Sequence, residues 1–98
     1  MNAIEYAVVD VSTAADNVVT LEECDLLFAR VNTALSAHAV AIENGNGGDV
    51  VGNFPASSAL EVERDFKDGI RMSAGINLAG NVSSTGIIIV AYRTVSQV

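Results

Sequence analysis

The chain has 98 residues, of which half are hydrophobic and few are aromatic, and its formal net charge at pH 7 is −7. This length gives a single domain, residues 1–98, with a modest core, and the hydrophobic content excludes a disordered chain. The acidic balance argues against nucleic-acid binding, because phosphate contacts need a clustered basic face.

Neither a signal peptide nor a membrane span is expected. The longest purely apolar run, Ile87 to Ala91, is far too short to cross a bilayer. The N-terminus has no basic region followed by an uninterrupted apolar region. We therefore expect a cytoplasmic or virion location.

The charges are spread unevenly along the chain. Up to Glu63 there are ten acids and one base, and from Arg64 onward there are four bases and two acids. One interpretation is solubility alone. The other is that an acidic surface of one copy meets a basic surface of another copy.

Near the N-terminus, Ala3–Val11 predicts a β-strand. Its residues alternate between two faces, and β-branched side chains dominate. Both faces are largely apolar. We therefore expect this strand to be central in its sheet, or to have a covered outer face.

The stretch from Thr20 to Gly45 predicts one long amphipathic helix, Thr20–Asn44. Thr20 and Glu23 form a capping-box pattern at its start, and Asn44-Gly45 is a natural stop. An alternative breaks the helix at Ala37 and makes the segment HAVAIE a short strand. The apolar residues recur at steps of three and four, and they are Leu21, Cys24, Leu27, Phe28, Val31, Leu35, His38, Ala39 and Ile42.

Glu43–Ser58 is rich in Gly and Asn and contains Pro55, which predicts a long loop. It lacks the strand, helix and Lys-Ser/Thr ending of a phosphate-binding loop. We expect it to be a flexible arm, or a loop that a neighbour orders.

Two strands, Leu60–Lys67 and Ile70–Ala79, are predicted to form a hairpin. A loop of three residues, Lys67 to Gly69, places the apolar residues of both strands on one face. Arg64 is then a misfit on the inner face. We expect it to lie across the sheet rim or to meet an acid of another chain.

Ile87–Val95 predicts a strand whose two faces are both apolar, with Arg93 as its only charge. Such a strand must be central and covered on both faces, or one face must be an interface. One helix cannot cover both faces of a sheet, so this strand predicts a homo-oligomer. The expected interface residues are Ile87, Ile89, Ala91, Arg93, Val95, Arg64 and Arg71.

The sequence offers little chemistry. Its single histidine, His38, and its single cysteine, Cys24, both lie on the apolar face of the predicted helix. One cysteine excludes an internal disulfide and a cysteine-based zinc site, and no zinc-enzyme or nucleophile motif is present. We expect no catalytic, cofactor-binding or metal-binding residues, and no cofactor.

The fold that these elements predict is α+β, with the Thr20–Asn44 helix packed on a mainly antiparallel four-stranded sheet. The alternative is an all-β sandwich or jelly roll, in which the helix is shorter and HAVAIE and DVVG become strands.

The function that we expect is structural and non-enzymatic. The chain would form a homo-oligomer, with itself and other structural proteins as partners, as a capsid or capsid-associated component of a virion does. The alternative is a small oligomeric enzyme or ligand-binding module. It would bind an anion at a subunit interface through His38, Arg64, Arg71 and Arg93.

Overall fold

The computed structural model describes residues 3–95, and in that range it contains eight strands and no helix. The strands are β1 (Glu5–Asp10), β2 (Asp16–Thr20), β3 (Cys24–Thr33), β4 (Val40–Asn44), β5 (Val50–Phe54), β6 (Glu63–Met72), β7 (Ile76–Ala79) and β8 (Ile87–Thr94).

The strands form two four-stranded antiparallel sheets. Sheet 1 has the order β1-β8-β3-β6, and sheet 2 has the order β2-β7-β4-β5. Apolar side chains of both sheets meet in one buried cluster, so the sheets pack face to face as a sandwich. This strand order is that of an eight-stranded jelly roll, which consists of two Greek keys.

The core follows from the alternation of side chains along each strand. In β8, Ile88 and Val90 point inward and are fully buried, whereas Ile87 and Ile89 are half-buried on the outer face. The largest apolar side chains of the core are Phe54, Leu26, Ile42, Met72, Ile76, Leu78 and Ile88.

The predicted helix Thr20–Asn44, and with it the α+β fold, is wrong. That stretch holds β3, β4 and the end of β2. A β-bulge near Leu27 shifts the alternation of β3 by one position. The buried residues of β3 therefore fall at positions 24, 26, 29 and 31. The apolar residues that recur at helical steps come from both faces of the strand, because Cys24 and Val31 point into the core whereas Phe28 points outward. Thr20 does accept the Glu22 N–H at 3.1 Å, but it caps a turn.

The all-β alternative agrees with the observed architecture, although no shorter helix is present in residues 3–95. β4 covers the last four residues of the HAVAIE segment, Val40 to Glu43, and β5 begins in the DVVG segment. Glu43–Ser58 is therefore not one loop, because β4 and β5 form a hairpin through the turn at residues 45–49. Both segments are strands because each pairs with a neighbouring strand, and the Gly and Asn residues that predicted a long loop form only the turn between them.

The predicted hairpin around Asp68-Gly69 is also wrong. Its predicted turn lies inside one strand, β6, which pairs with β3 on either side of a bulge at residues 66–69. Lys67 and Gly69 adopt positive φ values of 55° and 108°, which let the chain bulge outward and then resume its direction. The predicted strand Ile70–Ala79 is split, because residues 73–75 carry the chain to β7 in sheet 2.

The predicted terminal strands are both present, but their positions differ from each other. β8 is an interior strand between β1 and β3, whereas β1 is an edge strand and not a central one. β8 is therefore the central strand that its apolar sequence predicts, with a neighbouring strand along each of its edges.

Gly75 connects the two sheets at a point where no side chain fits. Its φ is +96°, and a Cβ atom there would lie 2.1 Å from the Thr20 carbonyl oxygen. Gly47 has a φ of +81° but no atom within 4 Å of such a Cβ. Both glycines thus need a positive φ, but only at Gly75 would a side chain collide with the backbone.

We expect Gly47→Ala to lower the free energy of unfolding by about 1 kcal/mol, the cost of a left-handed alanine. Gly75→Ala should lower it by about 2 kcal/mol more, because backbone must move to admit the methyl group. Urea denaturation of both variants measures the difference. Equal losses would contradict the close approach of Gly75 to the end of β2.

Candidate functional site

The outer face of sheet 1 carries a row of apolar side chains across three strands. Strand pairing places Tyr6 beside Ala91, and Ala91 beside Phe28. In the next row on this face, Val8 lies beside Ile89. Because side chains alternate along each strand, all five point away from the core.

Several of these side chains are open to solvent. Val8 is 68% exposed, Tyr6 is 63% exposed and Ile4, just before β1, is 41% exposed. The Tyr6 and Phe28 rings lie 6.3 Å apart at a tilt of 54°, a favourable aromatic contact. We define the apolar patch as Ile4, Tyr6, Val8, Phe28, Ile87 and Ile89.

The apolar patch ends in a charged row near the start of β3. Asp25 pairs with Arg71 on one side and with Arg93 on the other. Arg71 donates from Nε to Asp25 Oδ1 at 2.8 Å and from Nη1 to Glu23 Oε2 at 3.3 Å. The hydrogen bond to Asp25, and then that to Glu23, raises the pKa of Arg71. Arg93 Nε is buried with no hydrogen-bond partner among residues 3–95.

Arg64 lies on the opposite face of sheet 1, at the edge where β5 and β6 face each other. Its Nε donates to the Asn53 carbonyl oxygen at 2.9 Å, and its guanidinium lies 5.4 Å from the centre of the Phe54 ring. The side chain of Arg64 therefore covers the edge of the sandwich with its apolar stem, a charge-assisted hydrogen bond and a cation–π contact.

The opposite edge, between β1 and β2, is open. A groove of about 500 Å³ lies there. Ala7 and Val9 of β1 and Val18 and Val19 of β2 are among the residues that line it. Val18 is itself 49% exposed. Asp10, Thr13, Asp16 and Asn17 also line it, so the groove is a gap of mixed polarity between two edge strands.

Sheet 2 contains a buried polar group. Asn77 is fully buried, and its Nδ2 donates to Glu43 Oε1 at 2.9 Å and to Asp16 Oδ1 at 3.3 Å. Glu43 Oε1 also accepts the Gly47 N–H at 3.0 Å. These bonds tie β2, β7 and β4 together across the outer face, and we read the group as structural.

The predicted interface residues do not all lie together. Ile87 and Ile89 belong to the apolar patch, but Ala91 is fully buried between Tyr6 and Phe28. Arg71, Arg93 and Val95 lie at the charged end of sheet 1, near Glu23 and Asp25. Arg64 lies at the far edge.

The four residues of the expected anion site are also dispersed. Only Arg71 and Arg93 are near each other, on the two sides of Asp25. His38 is half-buried in the connection at residues 34–39, beyond the opposite end of β3. Residues 3–95 contain no group of three or more His, Cys, Asp or Glu side chains that could hold a metal ion. No helix in the same range could span a membrane.

Sequence reasoning did not include Tyr6, Val8 and Phe28 among the interface residues. The sequence predicts a central or covered strand for Tyr6 and Val8, and a helix face for Phe28. The available signal was the apolar character of both faces of Ala3–Val11, which fits an edge strand with an uncovered face as well as a central strand.

Comparison with protein-family models, curated proteins and solved structures found no match to this chain.

Cys24 is fully buried at the start of β3, and we expect it to be unreactive. Burial, followed by the charge of Asp25, raises the pKa of the Cys24 thiol from 9.0 to about 11. At pH 8 about one thiol in a thousand is then ionised. Labelling with a thiol reagent should be about a hundredfold slower in the native chain than in urea.

The same shift gives a pH dependence with a definite sign. The folded pKa of Cys24 lies above its unfolded pKa. The contribution of the buried thiol to the free energy of unfolding is therefore complete below about pH 9 and is lost as the pH rises toward about 11. Cys24→Ala provides the control, since its unfolding free energy lacks this contribution. Equal labelling rates with and without urea would show that Cys24 is accessible.

Proposed function

We propose that this protein is a non-enzymatic structural subunit that assembles with copies of itself, as a capsid or capsid-associated component of a virion. The observation that carries this proposal is the apolar patch on the outer face of sheet 1. Apolar surface of this kind, bounded by charged residues, is typical of protein–protein contact sites.

The energetics of the apolar patch support association. Covering an apolar side chain of this size contributes roughly 1.5–3 kcal/mol when it is fully buried. Tyr6 and Val8 are 63% and 68% exposed, so most of that contribution is still available to a contact. Their backbone lies in a paired strand, and little further ordering would be needed to form an interface.

The architecture is compatible with the proposal but does not select it. Jelly rolls occur in viral capsid proteins, and also in lectins and cupins. A fold shared by these classes does not define a function. The surface, and not the strand order, therefore carries the proposal.

Light scattering on the purified chain tests self-association. We expect a defined multiple of 10.2 kDa at micromolar concentration. Ile89→Lys should shift the equilibrium toward smaller species, because it places a charge in the apolar patch. Val82→Lys is the matched control, since Val82 is 81% exposed in the connection between β7 and β8. Circular dichroism checks that both variants fold.

A monomer at every concentration of the wild-type chain would refute the proposal. Equal dissociation by Ile89→Lys and Val82→Lys would mean that added charge, and not the apolar patch, controls association. If the assembly persists with Val82→Lys but dissociates with Ile89→Lys, the result supports the apolar patch as the contact.

Salt should strengthen the assembly. Each copy carries a net charge of −7, so copies repel one another, and the ion pairs of Arg71 with Glu23 and Asp25 lie within one chain. Raising the salt from about 0.1 M to about 1 M shortens the screening length from about 10 Å to about 3 Å. We expect the association constant to rise about tenfold.

The same scattering series over a range of NaCl concentrations measures this dependence. Dissociation by salt would contradict an apolar contact and would instead point to the acidic and basic regions of two copies.

A further inference from the structure

Each sheet has two edge strands, which are β1 and β6 in sheet 1 and β2 and β5 in sheet 2. An edge strand presents backbone N–H and C=O groups that another chain can pair with. Natural proteins block such pairing with bulges, short strands, charged side chains or covering groups. The four edges of this sandwich differ in whether they carry such a block.

β6 is blocked by its own irregularity. The bulge at residues 66–69 interrupts the strand, and Lys67 stands in it with a φ of 55°. The Lys67 N–H donates to Asp65 Oδ1 at 2.8 Å. A neighbouring strand would therefore meet a broken and charged edge.

The two edges of sheet 2 are also interrupted. β5 has only five residues, and the Asn53 carbonyl oxygen already accepts the Arg64 side chain. β2 contains a register shift between Val18 and Thr20. Neither strand offers a long regular row of free backbone groups.

Within residues 3–95, β1 has no bulge and no covering group, and its only charged residues, Glu5 and Asp10, stand at its two ends. Its six residues pair with β8 without any register shift, and its sequence, EYAVVD, contains no Lys, Pro or Gly. Within the described chain, no loop forms a backbone hydrogen bond with Glu5 to Val9. The open groove beside β1 leaves room for a neighbouring chain.

We propose that β1 pairs antiparallel with β1 of a second copy around a two-fold axis normal to sheet 1, so that two sheets become one eight-stranded sheet. This inference rests on the proposed self-assembly and names the contact through which the first dimer forms. The interface is isologous, because the same strand serves both copies.

The length of β1 and its side chains together favour one register, because an axis on Ala7 pairs residues 5–9 of the strand with one another, whereas an axis on Tyr6 pairs only residues 5–7. A two-fold axis normal to the sheet keeps inner residues opposite inner residues and outer residues opposite outer residues. With Ala7 opposite Ala7 of the second copy, Tyr6 faces Val8 on the outer side, twice in the dimer. Aromatic and β-branched residues form favourable cross-strand pairs.

The charges agree with this register. Glu5 comes opposite Val9 and Asp10 comes opposite Ile4, so no two acids face each other. A shift that centres the axis on Val8 would instead place Tyr6 opposite Asp10. Because a two-fold axis of this orientation keeps the outer faces together, the apolar patches of both copies become one continuous surface.

Cross-linking tests this register directly. In a Cys24→Ala background, Ala7→Cys places two thiols on the axis, where Cα atoms of opposite residues lie about 4.5–5.5 Å apart and a disulfide can form. Val9→Cys is the matched control on the same inner face. Its two copies are offset by four residues, about 13 Å, which no disulfide spans.

We expect Ala7→Cys to form a disulfide-linked dimer at least about tenfold faster than Val9→Cys, because pairing holds its thiols together. The double variant Glu5→Cys with Val9→Cys should also cross-link, since these residues face each other in the register. Circular dichroism confirms folding, and repeating the oxidation in the wild-type Cys24 background covers the case in which Cys24→Ala is unstable.

The outcomes separate the two proposals. If the wild-type chain is oligomeric but Ala7→Cys cross-links no faster than Val9→Cys, the strand pairing is overturned and self-assembly stands. If the wild-type chain is monomeric in light scattering, self-assembly itself fails. Rapid cross-linking of Ala7→Cys and of the double variant, with slow Val9→Cys, establishes the pairing and its register.

Discussion

The pairing of β8 between β1 and β3 is the constraint on which the rest of this structure depends. β8 is the last strand of the chain, and it joins the first strand to the third. Sheet 1 therefore cannot be completed before β8, which follows the seven other strands in sequence, is present. Its inner residues Ile88 and Val90 fill the core, and its outer residues Ile87 and Ile89 lie in the apolar patch. One strand thus couples the stability of the fold to the proposed contact surface. Contacts so distant in sequence are slow to form.

The sequence predicted the terminal strands because each is a short, largely apolar segment rich in β-branched residues. It failed between residues 20 and 45, where Cys24, Phe28 and Val31 recur at steps of four and three although they belong to both faces of β3. It also failed at Asp68-Gly69, where turn residues serve a bulge within one strand. In both places a neighbouring strand decided the conformation, and single-sequence patterns do not contain that information.

Only part of the candidate site could be predicted, because the rest of it also depends on which strands are neighbours. Ile87 and Ile89 were identified from the doubly apolar pattern of their own strand. Tyr6 and Phe28 could be placed beside them only once β8 was known to lie between β1 and β3, since that pairing brings the two rings within 6.3 Å. Arg64 was recognised as a misfit on an inner face, and the structure shows what it covers, the β5 edge at Asn53 and Phe54.

The unequal edges of sheet 1 bear on how far an assembly could grow. Three of the five basic residues, Arg64, Lys67 and Arg71, lie on β6, whereas β1 carries none. If two copies pair through β1, the joined sheet ends on both sides in β6, with its bulge and its charges. Strand addition would then stop at two copies, because an isologous contact uses the open edge of both. Further growth would have to use the outer face, where the two apolar patches have become one. The same chain would thereby avoid the open-ended stacking that an unblocked edge invites, while retaining an apolar surface for a larger, closed assembly.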